Sequence, residues 1–130
     1  MSYYYAATLE GEIGQVTSKV KEALQERGFG IVSEINFAET IKKKLNVDHP
    51  PYIILGACSP HHALKAVSEE PHIGLMLPCN VVVREVSPGK VEVSAIDPVA
   101  SMAAVPNEKL AEVAQEVREK LKELVAALSS

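Results

Sequence analysis

The sequence predicts an α+β domain in which a mainly antiparallel sheet carries helices packed on one face. Three observations carry that reading. Val81 to Val86 and Lys90 to Ile96 flank the turn Ser87-Pro88-Gly89, and the second arm alternates through Val91, Val93 and Ala95 as a hairpin strand does. Three further apolar runs, at Tyr3 to Leu9, Ile31 to Ile35 and Tyr52 to Cys58, are separated by segments of helical period. Asn107 opens a terminal helix whose stripe, Leu110, Val113, Ala114, Val117, Leu121, Leu124, Val125 and Leu128, needs a surface to cover.

Each element has its own signal. After the first strand, Ile13, Val16, Val20, Ala23 and Leu24 lie on one helical face between Gly11 and Arg27, and Gly28 ends that helix as a residue free to take positive φ. Asn36 and Glu39 form a capping-box pattern ahead of a short helix from Phe37 to Leu45. Asp48-His49-Pro50-Pro51 excludes regular structure, because two prolines remove two donors and the residue before a proline avoids the α region. The run Tyr52 to Cys58 is almost continuously apolar and predicts a central strand covered on both faces. Ser59 as N-cap and Pro60 in the first turn start a helix that ends near Glu70, before Pro71. Gly74 to Leu77 is a short apolar stretch, and Asp97-Pro98 ends the last strand ahead of a linker. What covers the sheet's second face is open, and a second copy of the chain is a common solution.

Composition bounds the possibilities. A chain of 130 residues suits one domain, residues 1–130, and buries about 65–70% of its unfolded surface. Apolar residues at 47% and charged residues at 23% place it among globular chains rather than disordered ones. A net charge of −4 provides no overall field toward nucleic acid or anionic lipid, and Lys42-Lys43-Lys44 reads as a solvated helical face. The start, Met1-Ser2-Tyr3-Tyr4-Tyr5, shows neither a basic leader nor an apolar signal core, and no window is apolar enough to span a bilayer. The expectation is a cytosolic protein without nucleic-acid or membrane partners, its two cysteines reduced.

Chemistry concentrates in two segments, Leu55-Gly56-Ala57-Cys58-Ser59-Pro60 and Leu77-Pro78-Cys79-Asn80-Val81. Cys58 precedes a helix start, where amides and the helix dipole stabilise a thiolate; the alternative is an inert core thiol. Cys79 follows Pro78, which cannot donate to a ladder, so the backbone there is irregular enough to admit a ligand. The spacing of the cysteines fits neither a redox Cys-x-x-Cys nor a zinc ribbon, and a metal held by Cys58, His61 and Cys79 is only half favoured by helix geometry. Ser59 and the amides of His61 and His62 offer a weak anion cradle. Asp97 is a candidate base or simply a turn former. No Ser-His-Asp order, phosphate loop or calcium loop is legible, and no cofactor is implied.

Taken together, Tyr4, Tyr5, Gly28-Phe29-Gly30, the two cysteine segments with Gly74-Leu75-Met76 before the second, and Ile96-Asp97-Pro98 resemble the bacterial and archaeal domain of unknown function family 302 over almost the whole chain. The resemblance implies an α+β fold similar to the TATA-binding-protein-like arrangement, and a homodimer. It does not carry DNA binding with it. Cys58, Cys79, Asn80 and Asp97 match pattern positions, whereas the family usually has Asp in place of Asn36 and Asn in place of Ser59, and His61 and His62 are peculiar to this chain. Three readings follow: a homodimeric domain binding a small molecule or anion near Cys58, Ser59, Pro60, Cys79, Asn80 and Asp97; a thiol-dependent redox enzyme or sensor using Cys58 and Cys79; and a structural dimerisation module.

Overall fold

A computed structural model describes residues 2–129; Met1, the first residue of the segment read for a leader, lies outside them. The chain runs β1 (Tyr4–Glu10), α1 (Ile13–Glu26), β2 (Gly30–Asn36), α2 (Phe37–Leu45), β3 (Tyr52–Cys58), α3 (Pro60–Glu69), a 3-10 segment (Pro71–Met76), β4 (Cys79–Ser87), β5 (Lys90–Ile96), α4 (Pro98–Ser101) and α5 (Glu108–Leu128). The strands form one antiparallel sheet in the order β1-β5-β4-β3-β2. This is the α+β arrangement expected.

Alternation decides which side is core. Leu55 on β3 pairs with Val81, Val83 pairs with Val93, and Val81 pairs with Ala95, so these residues share one face, and each is at most 1% exposed. Helices α1 and α5 cover that face. Val16, Val20 and Leu24 come down from α1, and Val117, Leu121, Leu124, Val125 and Leu128 from α5, all within the same buried cluster. A second, smaller cluster of Ala66, Ile73, Met102, Leu110, Val113 and Ala114 joins α3, the 3-10 segment and the upper half of α5. All eight residues of the predicted terminal stripe are buried. Its cap is also as expected, since Asn107 Oδ1 accepts from the amides of Lys109 and Leu110 at 3.1 and 3.2 Å.

Other local signals resolve with adjustments. Gly28 has φ of +82° and turns the chain out of α1. Asn36 caps α2 through a 3.0 Å bond from the Glu39 amide, but the Glu39 carboxylate pairs with Lys43 at 3.2 Å, so the capping box is one-sided. The lysine run stands in water, with Lys42 also paired to Asp48 at 2.9 Å. Strand β4 begins at Cys79, two residues earlier than read from sequence, because Cys79 pairs with Ala57 across the ladder. The stretch Gly74 to Leu77 falls largely in the 3-10 segment, and the linker after Asp97 contains α4.

One expectation is corrected. Strand β3 is interior but its second side is only partly covered: β4 holds the middle of the sheet, the Phe37 and His49 rings stand against Tyr52 at 5.3 and 5.8 Å, and Tyr4 and Ile35, at the two edges of the same face, are exposed. Strand β2 forms an edge and carries a register shift between Ile31 and Ser33.

Gly56 marks a tight approach on this second face. A Cβ there would overlap Ser33 Oγ and lie 2.7 Å from Pro78 Cγ, whereas Gly74 faces open space. We expect Gly56→Ala to destabilise the domain by about 1–3 kcal/mol and Gly74→Ala to change stability by less than about 0.5 kcal/mol. Paired denaturant titrations check this; equal midpoints for the two variants would contradict the assigned packing.

Candidate functional site

Three of the nominated residues converge. Cys58, Ser59 and Cys79 border one cavity, set where the end of β3 meets the start of α3 and closed by Phe29, Ala57, Ala66, Leu77, Met102, Val113 and Ala114. The lining joins residues of both buried clusters, so the cavity occupies the seam between the two cores. Its volume is about 30 Å³. A water needs roughly 10–15 Å³ of such space, so only two or three small atoms fit.

The polar rim comes from helix ends. Ser59 occupies the N-cap position of α3 but its hydroxyl does not cap the helix. Instead Ser59 Oγ lies 2.7 Å from His62 Nδ1, and His62 Nε2 lies 2.8 Å from Glu116 Oε2 on α5. A carboxylate only accepts, so the bond to Glu116 places the proton of a neutral imidazole on Nε2 and leaves Nδ1 to accept from the serine. The His62 side chain is 18% exposed and Glu116 56% exposed, so the row runs from the cavity mouth outward to solvent.

The other nominated residues lie elsewhere. Pro60 starts α3 and is not among the residues bordering the cavity. Asn80 pairs with Gly56 and turns to the second sheet face, where it joins Tyr3, Tyr4, Tyr52, Arg84 and Glu92 around an open hollow of about 460 Å³. In that hollow Arg84 Nε donates to Glu92 Oε1 at 2.9 Å across the β4–β5 ladder. Asp97 is buried and caps α4 by accepting from the Val99 amide at 3.0 Å. Arg118 Nε donates to Tyr5 Oη at 2.7 Å and lies 3.5 Å from Asp97 Oδ2, and Tyr5 Oη itself stands 3.5 Å from that carboxylate. The hydrogen bond to Tyr5, then the charge of Asp97, hold the Arg118 guanidinium firmly protonated. The trio ties β1 to α4 and α5, so Asp97 acts as a structural anchor there.

Sequence reasoning missed Glu116 and Arg118, both exposed-looking positions on the polar side of α5 whose partners are remote along the chain. For His62 it used only the backbone amide, as part of an anion cradle, and gave its ring no role. The metal option fares differently: among the described residues no three His, Cys, Asp or Glu side chains gather as a metal group.

Both cysteines are free. The ladder opposes Cys79 to Ala57, so the thiols sit one register step apart rather than face to face. Burial, and secondarily the proximity of Cys58, push the Cys79 thiol from its usual value near 9.0 up to about 11. Cys79 is a buried neutral thiol, not a resting thiolate.

Fold and site together define a one-sheet α+β domain with a small apolar cavity at a strand-to-helix junction. The chain matches the family described as "Domain of unknown function DUF302" over residues 5–128, and it belongs to that family. A crystal structure described as an uncharacterized conserved protein DUF302 from Bacillus stearothermophilus superimposes with a TM-score of 0.89 at 22% identity, covering 98% of this chain and 99% of that one. None of the curated proteins matches. No helix among the described residues is long and apolar enough to cross a membrane.

The Cys79 environment has a pH consequence. Its folded-state pKa stands above that of the unfolded chain, so its contribution to stability is complete below about pH 9 and is lost as pH rises toward about 11. Cys79→Ala is expected to flatten the decline of stability over that window, read from urea midpoints. Iodoacetamide at pH 8 should label the partly exposed Cys58 and spare Cys79 until the chain unfolds; prompt labelling of Cys79 would contradict its burial.

Proposed function

We propose that the protein is a cytoplasmic small-molecule-binding domain whose ligand enters at the β3–α3 junction, beside Cys58, Ser59 and Cys79. One observation carries the reading: an otherwise apolar cavity opens under a hydrogen-bonded polar rim of Ser59, His62 and Glu116. Binding sites combine apolar walls with a few placed polar groups in this way. The cavity takes only a short apolar end, and the polar remainder of the ligand lies against the rim. A thiol-disulfide role has weaker support, because burial keeps Cys79 protonated and the thiols are offset in the ladder.

A homodimer formed through the second sheet face is favoured by a separate observation. Tyr4 and Ile35, at the two edges of that face, are 44% and 48% exposed, and Ile54 and Val82 lie between them on the same side, apolar surface that a second copy of the sheet would cover. The hollow around Tyr52 and Arg84 lies in the same face.

Two measurements test these readings. Sodium propionate titrated into labelled protein should shift the methyl resonances of Ala57, Ala63, Ala66 and Ala114, and Ala63→Leu should abolish those shifts; shifts confined to other regions would overturn the cavity as the binding place. Sedimentation at micromolar concentration should find a dimer that Val82→Glu converts to a monomer. A monomeric wild-type protein would refute sheet-to-sheet assembly.

A further inference from the structure

We infer that Ser59, His62 and Glu116 form a catalytic relay that hydrolyses esters of short carboxylic acids, with Ser59 as the nucleophile. The inference rests on the binding reading above and gives its substrate class.

A serine at an N-cap ordinarily turns its hydroxyl onto the amide two or three residues ahead. Ser59 holds that position and makes no such bond; its Oγ lies 2.7 Å from His62 Nδ1, to which it donates when the neutral imidazole carries its proton on Nε2. His62 is in turn fixed from another helix, through the 2.8 Å bond of Nε2 to Glu116, a residue 54 positions along the chain. Nucleophile, base and orienting carboxylate thus stand in hydrogen-bond reach in series, with the imidazole in the tautomer that accepts the serine proton. The first intrahelical bond of α3 is made by the Ala63 amide, and Pro60 has no N–H. The amides of His61 and His62 therefore have no intrahelical acceptor, and Ser59 does not cap them. They are positioned to receive the negative oxygen of a tetrahedral intermediate. Beside them the cavity of about 30 Å³ accepts an acyl group of two or three carbons.

The reaction balances with water as the only co-reactant. Ser59 Oγ bonds to the acyl carbon while its proton passes to His62 Nδ1. The carbon–oxygen bond to the alcohol breaks, and the departing alkoxide takes that proton. Water then attacks the acyl-serine, gives a proton to Nδ1, and the serine leaves with it, so ester and water become acid and alcohol. Glu116 touches no reacting atom and is a positioning residue.

The test combines a fluorophosphonate probe, mapped by peptide mass spectrometry, with hydrolysis of p-nitrophenyl propionate and p-nitrophenyl decanoate. The probe should label Ser59, and propionate ester should be turned over while the decanoate ester is not. Asn is a favoured N-cap residue and carries no nucleophile, so Ser59→Asn should melt no lower than the wild type and lose kcat/KM by roughly 100-fold or more. Glu116→Gln should lower kcat with KM unchanged, which loss of a merely structural tie would not do. Hydrolysis that survives in Ser59→Asn, or labelling that occurs elsewhere or nowhere, overturns the proposal. If turnover is absent while propionate still shifts the cavity methyls, the relay is refuted and the binding reading stands; if neither occurs, both fall.

Discussion

Helices α1 and α5 lie across one face of five antiparallel strands and leave the other largely open, and the positions of the remaining parts follow from that uneven burial. Strand alternation sends Leu55, Ala57, Val81, Val83, Val91, Val93 and Ala95 under the helices, where burying each larger aliphatic side chain contributes about 1.5–3 kcal/mol. Residues of opposite parity, Asn80 and Arg84 among them, are delivered to the second face whatever their chemistry. This is why a contiguous sequence segment such as Cys79-Asn80 splits between two environments. Cys79 goes into the core with a suppressed acidity, and Asn80 goes to an open hollow.

The cavity has the same origin. The large cluster under the sheet and the smaller cluster beneath α3 share α5 as a common wall, and they meet along a line that small residues, Ala57, Ala66 and Ala114, do not fill. The strand-to-helix junction of β3 and α3 falls on that line. Backbone donors of a helix start and a hydroxyl, a ring and a carboxylate are therefore brought to the mouth of an apolar void by packing alone. The Arg118–Tyr5–Asp97 trio fixes the neighbouring turn of α5 against β1 and α4, so the carboxylate of Glu116 is presented from a helix that is held at several points.

Features encoded within a few residues were legible in the sequence. The Asn107 cap, the buried stripe of α5, the β4–β5 hairpin and the Asn36 cap all rest on neighbours one to four positions apart or on simple periodicity, and each stands where the pattern put it. The 3-10 segment and the four-residue α4 were missed because single turns after a proline have no period to read. The start of β4 was placed late, since Pro78 argued locally against a strand and only the pairing with Ala57 overrides it. At the candidate site, the two cysteine segments singled out in the sequence meet at one cavity, Cys58 at the end of β3 and Cys79 at the start of β4. Glu116 was not foreseen, because its meaning depends on which turn of α5 passes α3, and Ser59 was assigned a capping bond that its hydroxyl makes to His62 instead. Short-range chemistry predicted the parts; the helix that crosses above them decided their use.

The kink in β2 reaches beyond its own two residues. An outermost strand with regular, unsatisfied amides and carbonyls invites another strand to extend the sheet without limit. The mismatch between Ile31 and Ser33, with Glu34 salt-bridged to Lys21 beside it, breaks the straight row of hydrogen-bonding groups that an incoming strand would copy. Lateral growth into fibres is thereby discouraged at this border.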